Sequence, residues 1–141
     1  MQKTSQSFLD QLTTAGHRIT AVRRLIIDLL NQSKKPATAL ELQNIVTKKL
    51  RPVNKTTIYR ELELLLANKI IIEINFGDNK KRYEIAGLPH HHHLVCSNCD
   101  RVEDVFVTQD LNKLEQKISK EKSFTIHSHS LEFFGLCQDC H

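Results

Sequence analysis

The sequence lacks any apolar run long enough to cross a membrane. Runs such as the isoleucines at 70–72 fall far short of the roughly 20 apolar residues that a membrane-spanning helix needs. The first residues lead into an amphipathic pattern and contain no apolar core of a signal peptide. We therefore expect a cytoplasmic protein with no membrane partner, whose cysteines stay reduced and do not form disulfides.

The motifs of common zinc enzymes are also missing. The chain has no His-x-Glu segment followed by Pro-Cys-x-x-Cys, as zinc deaminases have, no His-Glu-x-x-His helix and no nucleophile elbow. It has no internal repeats, and its one low-complexity segment is a run of four histidines. A non-enzymatic role is favoured. A zinc-stapled hydrolase or deaminase, or a protein-interaction module, are the alternatives from other classes.

Positive charge is concentrated in the first part of the chain. Residues 1–86 hold fifteen Lys and Arg against eight Asp and Glu, whereas residues 87–141 hold five against eight. This asymmetry predicts that the first part binds an anion and that the second part has another role. A solvated basic surface without a partner is the alternative.

Residues 8–66 carry apolar side chains at helical spacing and are predicted to form four helices. The first helix is expected to end near Gly16, because glycine suits a C-terminal cap. Thr20, Thr38 and Asn54 are the candidate N-caps of the next three helices. Glu41 stands three residues after Thr38 and completes a capping box.

After the fourth helix, the apolar pattern changes from helical spacing to a period of two residues. Residues 70–76 and 81–85 are predicted to form two strands joined by a turn at 77–80. Helices followed by such a hairpin are typical of a winged helix-turn-helix, and small helical DNA-binding modules use a later helix to enter the major groove.

The chain breaks at Gly87-Leu88-Pro89, which we interpret as a hinge. Beyond it we predict strands at 92–95, 101–107 and 125–134 and a helix at 109–122. The predicted fold class is therefore α+β, with a winged helix-turn-helix domain (1–86), a hinge (87–89) and a small α/β domain (90–141).

The four cysteines form two matched pairs, Cys96 with Cys99 and Cys137 with Cys140. A two-residue spacer lets both thiolates of a pair bind one ion, and two pairs complete a tetrahedron around zinc. A closed shell of four sulfurs leaves no open position, which predicts a structural zinc site. Two disulfides, a redox dithiol and a rubredoxin-like iron site are the alternatives.

The run of four histidines predicts further metal binding. On a strand, His91 and His93 point to one side while His90 and His92 point to the other. One short segment thus supplies two imidazoles to each of two sites, and neutral imidazole binds zinc, iron and nickel. An expression tag is a poor alternative because the run is internal.

The fourth helix presents polar residues opposite its apolar stripe. Helical geometry puts Thr56 and Arg60 on the outward face, with Tyr59 at its edge. Arg60 suits a guanine edge, Tyr59 a thymine methyl group, and Arg18 a narrow A·T-rich minor groove. The residues expected to neutralise phosphates are Lys55, Arg23, Lys80, Lys81 and Arg82.

The residues from 90 to 99, HHHHLVCSNC, and from 129 to 140, HSLEFFGLCQDC, resemble the hallmark segments of the ferric uptake regulator family. The resemblance also covers GHRIT at 16–20 with Arg23, and TTIYR at 56–60. It implies a homodimeric, metal-dependent transcriptional repressor that binds double-stranded DNA. It further implies an N-terminal winged helix, a C-terminal dimerisation domain, a structural zinc and one or two regulatory metal sites.

The resemblance also implies the role of individual residues. The regulatory metal site between the domains maps onto Glu84, His91, His93 and Asp104. A second regulatory site maps onto His90, His92 and His129. The expected DNA contacts are Arg18, Arg23, Lys55, Thr56, Thr57, Tyr59 and Arg60. We expect a palindromic A·T-rich operator, and we expect dimerisation through the apolar strand that carries Leu131 and Phe133.

Two departures from the family pattern affect the metal. Many members supply a further histidine just before the third helix, whereas residues 34–38 contain none. Four ligands would suit zinc better than ferrous iron. The usual glutamate of the second site aligns with Asn112, for which Asp110 or Glu115 are candidate replacements. Asp104 stands where peroxide-sensing members have aspartate, which favours peroxide sensing, whereas the missing histidine argues against it. The regulatory metal (Fe²⁺, Zn²⁺ or Mn²⁺) and the role (iron uptake, zinc uptake or peroxide sensing) therefore stay open.

Overall fold

The structure is a computed structural model that describes residues 2–107 and 111–141. The chain divides into two compact units, Met1–Leu88 and Pro89–His141. This division falls inside the predicted hinge at 87–89. The mixture of helices and strands confirms the predicted α+β class.

The described part of the first unit contains four helices and a three-stranded antiparallel sheet in the order β1-β3-β2. The elements are α1 (Ser5–Thr14), α2 (Ala21–Ser33), β1 (Ala37–Thr38), α3 (Ala39–Lys49), α4 (Lys55–Ala67), β2 (Ile71–Asn75) and β3 (Lys81–Ile85). β1 was not predicted, because two residues are too short to show a period. Helices followed by the β2–β3 hairpin form the predicted winged helix-turn-helix.

The predicted N-caps hold in each case. Thr20 accepts a hydrogen bond from the backbone of Arg23 at 3.1 Å, and Asn54 accepts one from Thr57 at 2.8 Å. Thr38 and Glu41 form the reciprocal capping box. These bonds satisfy amide groups that the first turn of a helix leaves without partners, so the sequence defines where the helices begin.

The apolar stripe of α4 packs into the core of the first unit. Ile58, Leu62 and Leu65 are at most 1% exposed, and burying each such side chain contributes about 1.5–3 kcal/mol. This burial fixes the rotation of α4 about its own axis. The opposite face, which carries the predicted DNA contacts, therefore points to solvent.

The second unit is built around β4 (His92–Cys96), the central strand of a sheet in the order β5-β4-β6. β5 (Val102–Val105) pairs antiparallel with β4, and β6 (Glu132–Gly135) pairs parallel with it. α5 (Leu111–Lys122) lies between β5 and β6 in the chain. The predicted start of this helix, Gln109, lies outside the described residues.

The last strand begins later than predicted. We expected a strand from Thr125, but β6 begins at Glu132, which pairs with His93 of β4. Residues 125–131 form no strand and belong to the connection that leads from α5 into β6.

None of the helices within residues 2–107 and 111–141 is long and apolar enough to cross a membrane.

Candidate metal centres and nucleic-acid interface

The four cysteines come together in the second unit. Cys96 ends β4 and Cys99 lies in the turn after it, whereas Cys137 and Cys140 follow β6. Their sulfur atoms lie within 4.8 Å of one another, and the Sγ atoms of Cys99 and Cys137 are 3.7 Å apart. A tetrahedral zinc ion with 2.3 Å bonds would hold two sulfurs about 3.8 Å apart, whereas a disulfide needs about 2.05 Å. The cysteines are free, so the donor set fits zinc and not the disulfide alternative.

Hydrogen-bond donors surround this cluster. The backbone N–H of Cys137 donates to Sγ of Cys96 at 3.4 Å, and the Asn98 side chain donates to Sγ of Cys140 at 3.3 Å. The amides of Cys137, Cys99 and Asn98 lower the pKa of the Cys96 thiol to about 6. Such donors stabilise the thiolate form, which is the form that binds metal.

A second cluster contains His91, His93 and Asp104. The Nε2 atoms of the two histidines are 3.2 Å apart. Oδ1 of Asp104 lies 3.9 Å from Nε2 of His91 and 3.7 Å from Nε2 of His93. The β4–β5 register explains this approach, because Asp104 is paired with His93. The alternation predicted from the sequence thus holds for these two rings.

This cluster fits a divalent metal ion. Oδ1 of Asp104 is buried, and it has no hydrogen-bond partner among residues 2–107 and 111–141. A buried polar atom without a partner costs about 1–3 kcal/mol of folding free energy, and a charged one costs more, unless a ligand satisfies it. Nδ1 of His91 lies 2.7 Å from the Pro89 carbonyl oxygen, which can only accept. In the neutral ring, Nε2 therefore keeps the lone pair that binds a metal.

Glu84, the fourth predicted ligand of this cluster, belongs to the first unit. It lies on β3 opposite Ile72 and is 2% exposed. Its assignment as a ligand stays a prediction from the sequence.

A third cluster contains His90, His92 and His129. Nε2 of His129 lies 3.3 Å from Nε2 of His90 and 3.4 Å from Nε2 of His92. Burial, followed by the neighbouring rings of His90 and His129, lowers the pKa of His92. Three ring nitrogens thus face one another, as the alternation along the histidine run predicts, in an arrangement that suits an imidazole-binding metal.

Asp110 and Glu115 are the two candidate replacements for the glutamate ligand that aligns with Asn112, and the structure describes one of them. Glu115 lies with Oε1 2.6 Å from Nδ1 of His129, on the side of the ring opposite Nε2. It therefore orients the imidazole, which is a typical role of a carboxylate behind a metal-binding histidine. Asp110 lies outside the described residues.

The outward face of α4 carries four of the predicted DNA contacts. Lys55, Thr56, Tyr59 and Arg60 are all exposed and line one shallow depression. Nζ of Lys55 lies 5.6 Å from the centre of the Tyr59 ring, so the cation and the ring are held together. The face therefore offers a cation, a hydroxyl, an aromatic ring and a planar guanidinium to a partner.

The other three predicted contacts differ in exposure. Arg18 is exposed in the segment before α2. Thr57 is half-buried and donates its hydroxyl to Asn54, so it belongs to the cap of α4. Arg23 is only 8% exposed, and its guanidinium binds Glu61 at 2.8 and 3.0 Å. A direct phosphate contact, as we expected from Arg23, would require this pair to break.

The hairpin also departs from its predicted role at Arg82. We expected this residue to neutralise phosphates, but it is 2% exposed and binds Asp78 at 3.1 and 2.9 Å. Its guanidinium lies 5.0 Å from the centre of the Phe76 ring. The hydrogen bond from Arg82 lowers the pKa of Asp78. Arg82 thus stabilises the turn, while Lys80 and Lys81 stay exposed.

Comparison with known proteins agrees with this geometry. The model of the Ferric uptake regulator family matches residues 14–134 of the chain. The chain belongs to this family.

Two relatives and one solved structure illustrate the similarity of the chain to the ferric uptake regulator family. The ferric uptake regulation protein of Bacillus subtilis (strain 168) is 33% identical over 92% of this chain and 89% of the relative. The peroxide operon regulator of the same bacterium is 29% identical over 94% and 90%. The Helicobacter pylori ferric uptake regulator Fur, whose structure reveals three functional metal binding sites, has the same fold, with a TM-score of 0.83, 22% identity and coverage of 99% and 97%.

As a member of this family, the chain is a metal-responsive transcriptional regulator. Its cofactors are a structural zinc and a regulatory metal. The three clusters described above are the groups of metal-binding side chains found within residues 2–107 and 111–141.

Sequence reasoning missed several residues that support the sites of this family member. Arg101 donates to Asp139 at 2.6 Å and thereby ties the start of β5 to the second cysteine pair. The Pro89 carbonyl oxygen orients His91, and Glu61 holds Arg23. Only Arg101 and Asp139 had a signal in the sequence, because each lies beside or within a cysteine pair.

Proposed function

We propose that the chain is a metal-dependent, DNA-binding repressor of metal uptake or homeostasis genes. It acts in the cytoplasm, where a reducing environment keeps a four-thiolate site intact. It binds metal and DNA and carries out no catalysis. The observation that carries this proposal is the buried Oδ1 atom of Asp104, which has no hydrogen-bond partner in the described part of the chain and faces two ring nitrogens.

His91, His93 and Asp104 are the proposed ligands of the regulatory metal, and Glu84 is added to them on the sequence resemblance. Cys96, Cys99, Cys137 and Cys140 are the proposed ligands of structural zinc. His90, His92 and His129 are the proposed ligands of a second regulatory ion. The first set contains carboxylate and imidazole donors, which bind exchangeable divalent metals, whereas four thiolates hold zinc more permanently.

Regulation requires that the metal and the operator favour the same conformation of the protein. A bound metal ion would give Oδ1 of Asp104 a positively charged partner, so the conformation in which this atom is buried beside His91 and His93 becomes more populated. If that conformation binds DNA more tightly, DNA must increase the affinity for metal by the same factor. The coupling can therefore be measured either as the effect of metal on the affinity for DNA or as the effect of DNA on the affinity for metal.

The outward face of α4 is the proposed reader of the operator. Arg60 is exposed and can donate two hydrogen bonds to a guanine, and Tyr59 can contact a thymine methyl group. Lys55 and Thr56, which are both exposed, are the proposed contacts to the DNA backbone. Arg18, also exposed, is the proposed contact to an A·T-rich minor groove.

A homodimer is proposed because the second unit leaves apolar residues uncovered. α5, which is described throughout, buries none of its residues, and Leu114 is 52% exposed. Phe133 and Phe134 of β6 are 44% and 55% exposed. Exposed apolar residues of this kind mark protein interfaces. A twofold dimer carries two recognition helices and therefore fits a palindromic operator.

Two specific observations bear on which signal is sensed. Asp104, which stands where peroxide-sensing members of the family have aspartate, favours peroxide sensing. The absence of a histidine from residues 34–38 leaves four proposed ligands and favours zinc. A metal-uptake regulator is our first proposal, and peroxide sensing is the second candidate.

The test combines elemental analysis with DNA binding. Protein purified without added metal is analysed for zinc and iron, and binding to an A·T-rich duplex library is then titrated with Fe²⁺, Zn²⁺ and Mn²⁺. We expect retained zinc and metal-dependent binding. His91→Ala should weaken the metal dependence, while His127→Ala, an exposed histidine outside the three clusters, should not. Binding of the wild type that ignores every metal would contradict the proposal.

A further inference from the structure

Arg23 and Glu61 form a buried ion pair in the first unit. The pair joins α2 to α4, with Nε and Nη2 of Arg23 at 2.8 and 3.0 Å from the two carboxylate oxygens of Glu61. The side chains are 10% and 14% exposed. Charged side chains are rarely this buried unless they are paired, so each residue keeps the other in place.

Arg23 makes a third contact that extends the pair to the segment before α2. Its Nη1 atom donates a hydrogen bond to the carbonyl oxygen of Arg18. Its backbone N–H donates to Oγ1 of Thr20, the N-cap residue, at 3.1 Å. One guanidinium therefore connects the backbone at Arg18 to a carboxylate on the recognition helix.

The position of Glu61 in the chain gives this connection a consequence. Glu61 follows Arg60 directly on α4, so the carboxylate that binds Arg23 and the exposed guanidinium of Arg60 are fixed to adjacent backbone positions. The pair thus sets the distance between the backbone at Arg18 and the backbone at Arg60. These are the two arginines proposed above to read the minor and the major groove.

We propose that Glu61, acting through Arg23, is a positioning residue that sets where Arg18 meets the DNA minor groove. This inference rests on the proposed DNA-binding function. The planar guanidinium of Arg23 bridges one carboxylate and one carbonyl oxygen in fixed directions, which a lysine would not do. Without Glu61, Arg23 loses the partner that holds it, and the segment carrying Arg18 loses its link to α4.

A direct contact between Arg23 and a phosphate is the competing role, and it predicts an effect of opposite sign. Removing the Glu61 carboxylate would then release Arg23 toward the DNA. Binding would become tighter on every duplex, and its dependence on salt would become steeper by about one counterion. If Glu61 is a positioning residue, the variant instead loses discrimination at the positions that Arg18 reads.

The probe is the duplex that metal-loaded wild-type protein enriches from a random library, with single A·T pairs replaced by I·C or by G·C. The I·C pair keeps the minor-groove pattern of A·T, whereas G·C adds an amino group there. Wild type should tolerate I·C and reject G·C at the positions contacted by Arg18. Glu61→Ala should lose this distinction by roughly tenfold, the size of one good base contact.

A double-mutant cycle separates positioning from an independent effect. Adding Arg18→Ala to Glu61→Ala should change the I·C to G·C ratio no further, because the first change has already removed the contact. Glu63→Gln, an exposed charge removal on the same helix, should leave that ratio at the wild-type value. If the effects of Arg18→Ala and Glu61→Ala on the I·C to G·C ratio multiply in the double variant, the inference is wrong. It is also wrong if Glu61→Ala binds all duplexes more tightly than the wild type.

A second variant guards against a folding defect. Arg23→Met combined with Glu61→Leu removes the pair without leaving an unpaired buried charge, a replacement that proteins often tolerate. It should melt like the wild type and lose the same discrimination. If it discriminates like the wild type, the inference is wrong while the proposed function stands. If wild-type protein binds no duplex with any metal, both are wrong.

Discussion

The buried charged groups of Arg23, Arg82 and Asp104 are of two kinds. Arg23 and Arg82 are each held in a two-pronged contact with a carboxylate, so their burial is explained within the fold. Oδ1 of Asp104 is buried beside two imidazoles, and no hydrogen-bond donor reaches it from the described residues. A polar atom that the fold leaves unsatisfied in this way marks a binding site more clearly than its residue type does.

Asp104→Asn tests this distinction. The substitution keeps the shape of the side chain but removes its charge, so metal affinity at the His91–His93 cluster should fall by more than the 10–100-fold typical of an outer-shell change. The metal-free protein should be no less stable, because a charged oxygen that is buried without a hydrogen-bond donor, as Oδ1 of Asp104 is, is itself destabilising. Isothermal titration with zinc and urea unfolding measure the two effects. Equal zinc affinity in both proteins would contradict the assignment.

At the scale of elements, the β2–β3 hairpin depends on Arg82. This residue joins the turn at Asp78 to the ring of Phe76, while it occupies the middle strand of the sheet. The lowered pKa of Asp78 means that its charged form is stabilised in the folded protein. The contribution is therefore present at neutral pH and is lost as the pH falls through the lowered pKa of Asp78.

Arg82→Met should destabilise the protein by roughly 1–3 kcal/mol, because Asp78 and the turn lose their partner. Asp78 is 27% exposed on its side chain, so water limits the cost. Arg82→Met combined with Asp78→Asn should cost less than the two single changes summed. Urea unfolding at neutral pH measures all three variants. Lys80→Met, which removes an exposed cation from the same turn, is the control and should change stability by less than about 0.5 kcal/mol.

The elements show which parts of a fold a sequence can predict. Thr20, Thr38 and Asn54 cap their helices as predicted, because a cap involves neighbours within one turn. The alternation of His91 and His93 also follows from local geometry. In contrast, the pairing of Arg23 with Glu61 joins residues far apart in the sequence, and an arginine carries no sign of whether a carboxylate will meet it. The late start of β6 has the same origin, because it depends on where β4 lies.

The whole molecule should be dimeric, and its exposed phenylalanines test this. Phe133→Glu introduces a charge into the apolar surface of the second unit, where loss of a central aromatic typically costs about 2 kcal/mol or more of association free energy. Sedimentation velocity should show monomers at concentrations where the wild type is dimeric. Gln116→Glu makes the same change in charge at an exposed position of α5 and should stay dimeric. A dimeric Phe133→Glu variant would place the interface elsewhere.

The two units differ in what keeps them folded. The hydrophobic core cluster draws on α1 to α4, β2 and β3, all in the first unit. In the described part of the second unit, the buried apolar side chains are Val95, Cys96 and Val102. So small a core does not fold a chain segment without a further source of free energy. The four thiolates supply that source when they bind zinc, because metal binding to a site that exists only in the folded state stabilises the fold.

Cys96→Ser should therefore unfold the second unit and leave the helices of the first unit in place. Structural zinc in small domains contributes about 10–16 kcal/mol of binding free energy, far more than Val95 and Val102 contribute by burial. Circular dichroism should keep most of its helical signal, elemental analysis should show loss of zinc, and sedimentation should show loss of the dimer. Ser97→Ala, at an exposed position next to the ligand, should retain all three properties. A zinc-free Cys96→Ser protein that stays dimeric would show that contacts between subunits, and not the metal, fold this unit.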